Sequence, residues 1–313
     1  MCSSIDKAVW DEGRLADPHG QPDKAARVCA MFDEVAPTYE LVNSVLSVGR
    51  DRYWRRCAAA MARTEPTDRV LDLGCGTGDF AREFARASPA SVVGCDFSQR
   101  MLDLAISRNQ SLSQDCGTAW PSAATNEWHR RPACDPTGET PVPQEFRDTG
   151  ETPVPQEFRD TGETPVPQEC GDTSKSPIEW CRADAQSLPF GAESFTVVSC
   201  AFSIRNFQDL SQGLAEMFRV LAPGGRAVIL EFSMPRAPLL GGLYLFYFRR
   251  ILPRLAALIS GDRSGAYRYL PASVSSFIDA TGMIEKLRSA GFGKVEHRRL
   301  TIGIVTVFVA WKD

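Results

Sequence analysis

The sequence predicts an α/β fold built on a mostly parallel sheet, and three observations carry that expectation. Short apolar runs recur along the chain, separated by stretches with apolar residues at helical spacing. The early runs end in glycine or aspartate, as strands do where they open into a crevice. The last two runs alternate apolar and polar residues, which reads as a pair of strands.

Arg69–Leu73 (RVLDL) is the first strand, an apolar run that breaks into glycines. Phe80–Ala87 has helical spacing, Ser91–Asp96 (SVVGCD) reads as the second strand, and Gln99–Arg108 as the second helix. IEWCRAD, starting at Ile178, and SFTVVSCA, starting at Ser194, are strands three and four. A helix over Leu210–Leu221 is stopped by Pro223-Gly224-Gly225, and RAVILEF from Arg226 is strand five. The end holds a helix (MIEKLRSAGF, from Met283) and the strands KVEHRRL and IVTVFVAW. Strands that alternate with helices imply a parallel sheet covered on both faces.

Composition narrows the function classes. With 313 residues, 43% hydrophobic and 24% charged, the chain resembles a soluble domain and excludes fibrous or wholly disordered readings. Lys plus Arg number 35 against 39 Asp plus Glu, a net charge of -4 that gives no global pull toward nucleic acid. Ten cysteines scatter from Cys2 to Cys200 without a C-x-x-C pair, beside three histidines, so neither a disulfide framework nor a metal site is expected. The opening MCSSIDKAVWDEGRL lacks an apolar core after a basic start, which leaves a cytoplasmic location as the expectation. Leu239–Ile259 is oily, but Arg249, Arg250, Arg254 and Pro253 inside it oppose a membrane span. It suits a surface helix or the cover of an oily ligand.

GETPVPQEFRDT begins at Gly138, returns at Gly150, and comes back as GETPVPQECGDT at Gly162. Each copy has one Val and at most one Phe among prolines and charges, too little apolar surface to offset the ordering entropy. Residues 110–176 are therefore expected to be a disordered Pro-rich insert. A single domain is expected over 28–109 and 177–313, after a flexible N-terminus at 1–27.

Val70–Asp79 reads VLDLGCGTGD: strand, glycine turn, helix. Gly74, Gly76 and Gly78 let backbone approach a ligand closely, and the helix start favours a negative group. A dinucleotide fingerprint would need glycine at 79, where Asp79 stands. Asp96, some twenty residues on, can accept both hydroxyl hydrogen bonds of a ribose. Asp184 and the backbone of Ala185 can bracket an adenine edge, with a plain cap or turn role as the alternative for Asp184. Three such features at the ends of three successive strands converge on one crevice.

The glycine spacing resembles that of S-adenosylmethionine-dependent methyltransferases. Three further stretches resemble the ubiquinone/menaquinone biosynthesis C-methyltransferase family: FDEVAPTYELVNSVLSVGRDRYWR from Phe32, FSIRN from Phe202 and AYRYLPASV from Ala266. The resemblance covers roughly residues 28–109 and 177–312. Glu40 follows Tyr39 where the family usually has Asp, and Ser203 stands where it has Gly. The fold this implies is the Rossmann-like class I methyltransferase fold, a mostly parallel sheet with a final antiparallel strand, with S-adenosylmethionine held by Asp72, Gly74, Gly76, Thr77, Gly78, Asp96, Phe97, Asp184 and Ala185.

The implied reaction is C-methylation of a polyprenylated quinol, with demethylmenaquinol preferred over a benzoquinol. The alternatives are another lipid or phenolic acceptor, or a non-catalytic S-adenosylmethionine-binding module. A homodimer and peripheral membrane contact through 239–259 are the further partner expectations. Such chemistry must stabilise a phenolate beside the methyl donor. Arg205 and Asn206 suit it, and Tyr39 and Tyr269 can hydrogen-bond ring oxygens. A surface salt bridge for Arg205 and core packing for the tyrosines remain the alternatives. Glu231 is either a base or a capping carboxylate. His19, His129 and His297 lie off the family-like segments or on a late strand, which argues against a histidine base.

Overall fold

The computed structural model describes residues 10–38, 47, 49–115, 178–235, 242, 246–252 and 265–313. Seven strands form one sheet: β1 Arg69–Leu73, β2 Ser91–Asp96, β3 Ile178–Arg182, β4 Phe195–Ala201, β5 Leu221–Phe232, β6 Val295–Leu300 and β7 Val305–Trp311. Their order is β3-β2-β1-β4-β5-β7-β6, parallel except for β7, which is antiparallel to both β5 and β6. The chain leaves β1 toward β2 on one side and reaches β4 on the other. That reversal opens a crevice at the carboxyl ends of β1 and β4, where this class of sheet binds ligands.

Strands buried on both faces need apolar side chains at successive positions, which is why VLDL, TVVSC and AVIL read so clearly. Helices α4 (Asp79–Ala85), α5 (Gln99–Asp115), α6 (Leu210–Val220) and α8 (Ala280–Ser289) follow the strands in the expected alternation. Asp209 caps α6 by accepting from Ser211 N and Gln212 N. Leu214, Met217 and Val220 then face the sheet in one core layer, while Phe80, Phe84, Trp54 and Val307 fill the layer on the other side.

Four further helices were not expected as helices or run beyond their expected bounds. Helices α1 (Glu12–Ala16), α2 (Lys24–Val35) and α7 (Ala266–Ser276) build a third apolar cluster over the crevice, while α3 (Arg50–Ala62) packs Trp54, Cys57, Ala58 and Ala62 into the layer with Phe80 and Phe84. Residues 10–27, expected to be flexible, are packed. Trp10 is fully buried against Tyr269, with ring centres 4.2 Å apart. Helix α5 continues to Asp115, past the expected edge of the insert at 110. Pro223-Gly224-Gly225 lies inside β5 as a bulge, because Leu221 pairs with Phe195 and pairing resumes at Arg226 with Val197. The strand expected to reach Asp184 ends at Arg182, and Asp184 sits in a turn bridged to Ser187. The repeat, Tyr39 and most of 239–259 lie outside the described residues.

Candidate active site

Two cavities meet over the crevice. The first is a cleft of about 830 Å³ lined by the glycine turn, the ends of β2 and β4 and the inner face of α2. Gly74, Gly76 and Gly78 all have positive φ, at 59°, 55° and 85°. Gly74 is required twice over, since a Cβ there would sit 2.0 Å from Ser203 Oγ. Asp96 Oδ2 accepts from Gly76 N at 2.8 Å and Oδ1 accepts from Ser98 N at 2.8 Å, so one carboxylate ties both walls of the cleft. Burial raises its pKa above the ordinary carboxylate value. Phe97 is 38% exposed and presents a ring to the cleft. Asp184 Oδ1 accepts from Gln186 N, which holds the Ala185 turn beside it.

Of the residues expected to hold a cofactor, Gly74, Gly76, Asp96, Phe97, Asp184 and Ala185 line this cleft. Asp72, Thr77 and Gly78 stand behind its surface. Asp72 is buried under the turn, accepting from Ser199 Oγ at 2.7 Å, and burial pushes its pKa up to about 7. Gly78 starts α4 and is pressed by the Trp180 ring.

The second cavity is an apolar chamber of about 1400 Å³ walled by α2, α3, α7 and the π-helical turn Tyr247–Ile251. Phe32 and Phe202 line both cavities and form the partition. Phe202 holds φ of 58°, a left-handed conformation that an aromatic residue adopts at a cost of about 1 kcal/mol or more. Its N–H donates to Leu230 O at 2.7 Å, and its carbonyl accepts from Arg205 Nη1.

Arg205 and Asn206 form a short 3-10 turn after β4 at the partition. Arg205 is buried and pairs with Glu231 at 2.7 Å, so an ion pair, the alternative reading of this residue, does form, but inside the fold and not at the surface. Glu231 also accepts from Phe232 N, and it holds the arginine at the end of β5. Arg205 Nε and Asn206 Nδ2 are buried with no hydrogen-bond partner among the described residues. Tyr269 donates its hydroxyl to Asn206 Oδ1 at 3.0 Å, which fixes the amide with Nδ2 turned the other way. Burial pushes the Tyr269 pKa up to about 12, so this hydroxyl acts as a donor at neutral pH.

Several site residues carried no sequence signal. Lys24 is buried and donates to Phe207 O at 2.6 Å and lies 3.2 Å from His19 Nδ1; burial lowers its pKa to about 8. His19 Nε2 in turn meets Ser273 O at 2.9 Å. Gln208 bonds Ala25 N and Gln21 O, and Ser98 Oγ donates to Asp33. Together these tie α2 down over the cleft. Asp51 and Arg55 bring a buried ion pair to the chamber, and their spacing of four residues was the one local clue.

The cleft fits a cationic nucleoside on its own chemistry. A ribose can meet the Asp96 carboxylate, a purine can meet Phe97 and the Asp184-Ala185 turn, and no basic side chain lines the cleft among the described residues. Among the described residues, no group of three metal-ligating side chains is assembled, and no helix is long and apolar enough to cross a membrane.

Similarity to solved structures defines the class of fold. An S-adenosylmethionine-dependent methyltransferase from Thermotoga maritima aligns over 91% of this chain and 99% of its own, with a TM-score of 0.51 and 15% identity. The [4+2]-cyclase SpnF aligns over 91% and 95%, with a TM-score of 0.53 and 15% identity. The sheet is thus of the Rossmann-like methyltransferase type.

A model described as the ubiE/COQ5 methyltransferase family matches residues 21–118 and 164–312. The demethylmenaquinone methyltransferase of Deinococcus radiodurans is 38% identical over 93% of this chain and 94% of its own. The ubiquinone/menaquinone biosynthesis C-methyltransferase UbiE of Geobacter sulfurreducens is 36% identical over 93% and 90%. The demethylmenaquinone methyltransferase of Thermus thermophilus is 35% identical over 89% and 98%. The chain belongs to the ubiE/COQ5 methyltransferase family. Residues 119–163, which hold the first two repeat copies, fall between the two matched stretches.

Proposed function

We propose that this protein methylates a ring carbon of a polyprenylated quinol, converting demethylmenaquinol to menaquinol. The observation that carries this reading is the apolar chamber, which meets the cofactor cleft at Phe202 beside Arg205 and Asn206. An isoprenoid tail needs such a chamber, and a small hydrophilic phenol does not. The names of the relatives from Deinococcus radiodurans and Thermus thermophilus support demethylmenaquinol.

When bound, S-adenosylmethionine supplies an electrophilic methyl group on a sulfonium, with Asp96, Gly76, Phe97, Asp184 and Ala185 as its holders. The chain's other residues prepare the acceptor. Arg205 Nε is a buried donor still to be used, and hydrogen bonding to a quinol oxygen lowers that oxygen's pKa. Glu231 keeps the guanidinium in place for that task. Asn206 Nδ2 orients the hydroxyl or the water that takes its proton, while Tyr269 fixes the amide. With its pKa near 12, Tyr269 is a donor and not the base. Proximity would then supply much of the rate, because the chamber and the cleft would bring the acceptor carbon to the methyl group that S-adenosylmethionine supplies. Peripheral contact with a lipid surface through 239–259 suits the tail, and Phe246 is 58% exposed there.

The test is methyl transfer followed by mass spectrometry, with S-adenosylmethionine and chemically reduced short-chain demethylmenaquinol or the matching benzoquinol. One added methyl on the naphthoquinol is expected. No gain on either ring, with calorimetric S-adenosylmethionine binding intact, overturns the reading.

A further inference from the structure

The chamber carries a second charged pole that the chemistry above leaves unused. Asp51 and Arg55 on α3 both line it, and Arg55 Nη1 donates to Asp51 Oδ2 at 2.7 Å. The two residues are 8% and 9% exposed. Ser47 Oγ donates to Asp51 Oδ1 at 2.9 Å, and Asp79 Oδ2 lies 4.0 Å from Arg55 Nη2. Taking an ion pair out of water is unfavourable, and a cavity made only for hydrocarbon gains nothing from one. A guanidinium has five donors in a planar fork, and among the described residues the hydrogen bond to Asp51 uses one of them.

Its placement relative to Arg205 gives the pole a use. The Arg55 guanidinium carbon lies 5.6 Å from the Phe202 ring centre, and that of Arg205 lies 5.6 Å from the Phe232 ring centre. The two rings are 4.5 Å apart, and Trp54 stands 6.1 Å from each. Two guanidinium groups thus line the same chamber, one against each member of a packed, tilted Phe202–Phe232 pair. A 1,4-quinol has an oxygen at each end of its ring.

We propose that Arg55 receives the ring oxygen para to the one that Arg205 holds, with Asp51 as its positioning residue. The inference rests on the quinol reading and deepens it. An oxygen ligand for Arg55 could also be the carboxylate of the methyl donor. Arg55 lines the chamber and is absent from the walls of the cofactor cleft, which favours the acceptor.

The experiment compares reduced short-chain demethylmenaquinol with its analogue lacking the far hydroxyl, assayed with wild type, Arg55→Lys and the double variant Asp51→Asn/Arg55→Leu. The double variant avoids leaving a buried carboxylate unpaired. The readout is the ratio of kcat/KM for the two acceptors, so the intrinsic reactivity of each ring cancels between enzymes. That ratio should fall roughly ten- to a hundredfold in the double variant, the size of one charge-assisted hydrogen bond. Arg55→Lys should fall part of the way, and its result stands alone if the double variant does not fold. Calorimetric S-adenosylmethionine affinity should stay within about twofold.

An unchanged ratio with wild-type turnover intact overturns the assignment and leaves Arg55 as a brace between α3 and α4. A weakened S-adenosylmethionine affinity with an unchanged ratio also overturns it, in favour of the donor's carboxylate. A wild type inactive on every quinol overturns the functional reading and this assignment with it.

Discussion

Asp96→Ala is the most direct probe of the cofactor cleft. The carboxylate already accepts from Gly76 N and Ser98 N, each at 2.8 Å, through different oxygens. Each oxygen has a second lone pair, so two hydroxyls of a ribose can still be accepted. Hydrogen bonds to a charged acceptor contribute about 1.5–3 kcal/mol each. Losing two of them corresponds to about 3–6 kcal/mol, or roughly a hundred- to ten-thousandfold in affinity. The substitution also frees Gly76 N, so the glycine turn loses an anchor and the upper half of that range is expected. Asparagine is no conservative replacement, because its amide would face one of the two N–H groups with a donor.

Calorimetric titration of S-adenosylmethionine at about pH 8 measures the effect. Since burial raises the Asp96 pKa, wild-type affinity should also fall as pH drops through that raised value. The alanine variant should lose this component of the pH dependence. An affinity within about threefold of wild type, less than 1 kcal/mol, would remove Asp96 from the ribose.

Three further perturbations test other parts of the structure. Lys24 has its pKa lowered from 10.5 to about 8, so the unfolded chain binds more protons between those values and stability must rise with pH across that window. The rise is worth about 3 kcal/mol, and Lys24→Met should flatten it in urea denaturation; a variant that keeps the full slope refutes the assignment to Lys24. Gly74→Ala drives a Cβ into Ser203, at 2.0 Å from Oγ, and should abolish tight S-adenosylmethionine binding. Adding Ser203→Gly should restore most of it, leaving about 1 kcal/mol for the left-handed backbone; a double variant no better than the single one shows that the clash is not the cause. Deleting residues 138–173 should leave melting temperature and turnover unchanged, as the gap in the family match over 119–163 suggests for most of that stretch, and a large fall in either would mean that the repeat packs on the domain.

The sheet was legible in the sequence because its strands are buried on both faces. Arg69–Leu73 and Ser91–Asp96 carry the expected bounds to the residue. Helices α2 and α3 were not, and the reason is physical. Their buried faces include Lys24, Arg27, Asp51 and Arg55, so the charges that mark a solvated face in most helices sit inside here. The glycine turn, Asp96 and Asp184 were legible because each follows a strand end, and the topology brings strand ends together. The partners that position the chemistry were not. Arg205 with Glu231, Lys24 with Phe207 and Ser98 with Asp33 are joined across 26, 183 and 65 residues, where no local spacing can announce a contact.

The arrangement around Phe202 also bears on why the chamber is apolar. The strained Phe202 backbone is held by Arg205, and Arg205 is held by Glu231, so the partition and the proposed donor to the acceptor oxygen share one support. The ion pair is neutral as a unit, which means that a quinol losing its proton there becomes an anion without a full positive charge waiting for it. A basic pocket would bind that anion tightly in the ground state, and binding of that kind adds nothing to the chemical step. Methyl transfer from a sulfonium to an anionic ring brings opposite charges together and cancels them. Such a loss of charge is favoured where the surroundings solvate charge poorly. Walls of Phe32, Phe202, Phe232 and Phe248, with the Arg205 and Arg55 guanidiniums each held in an ion pair and a buried donor at Arg205 Nε, therefore suit the reaction better than a cluster of lysines would.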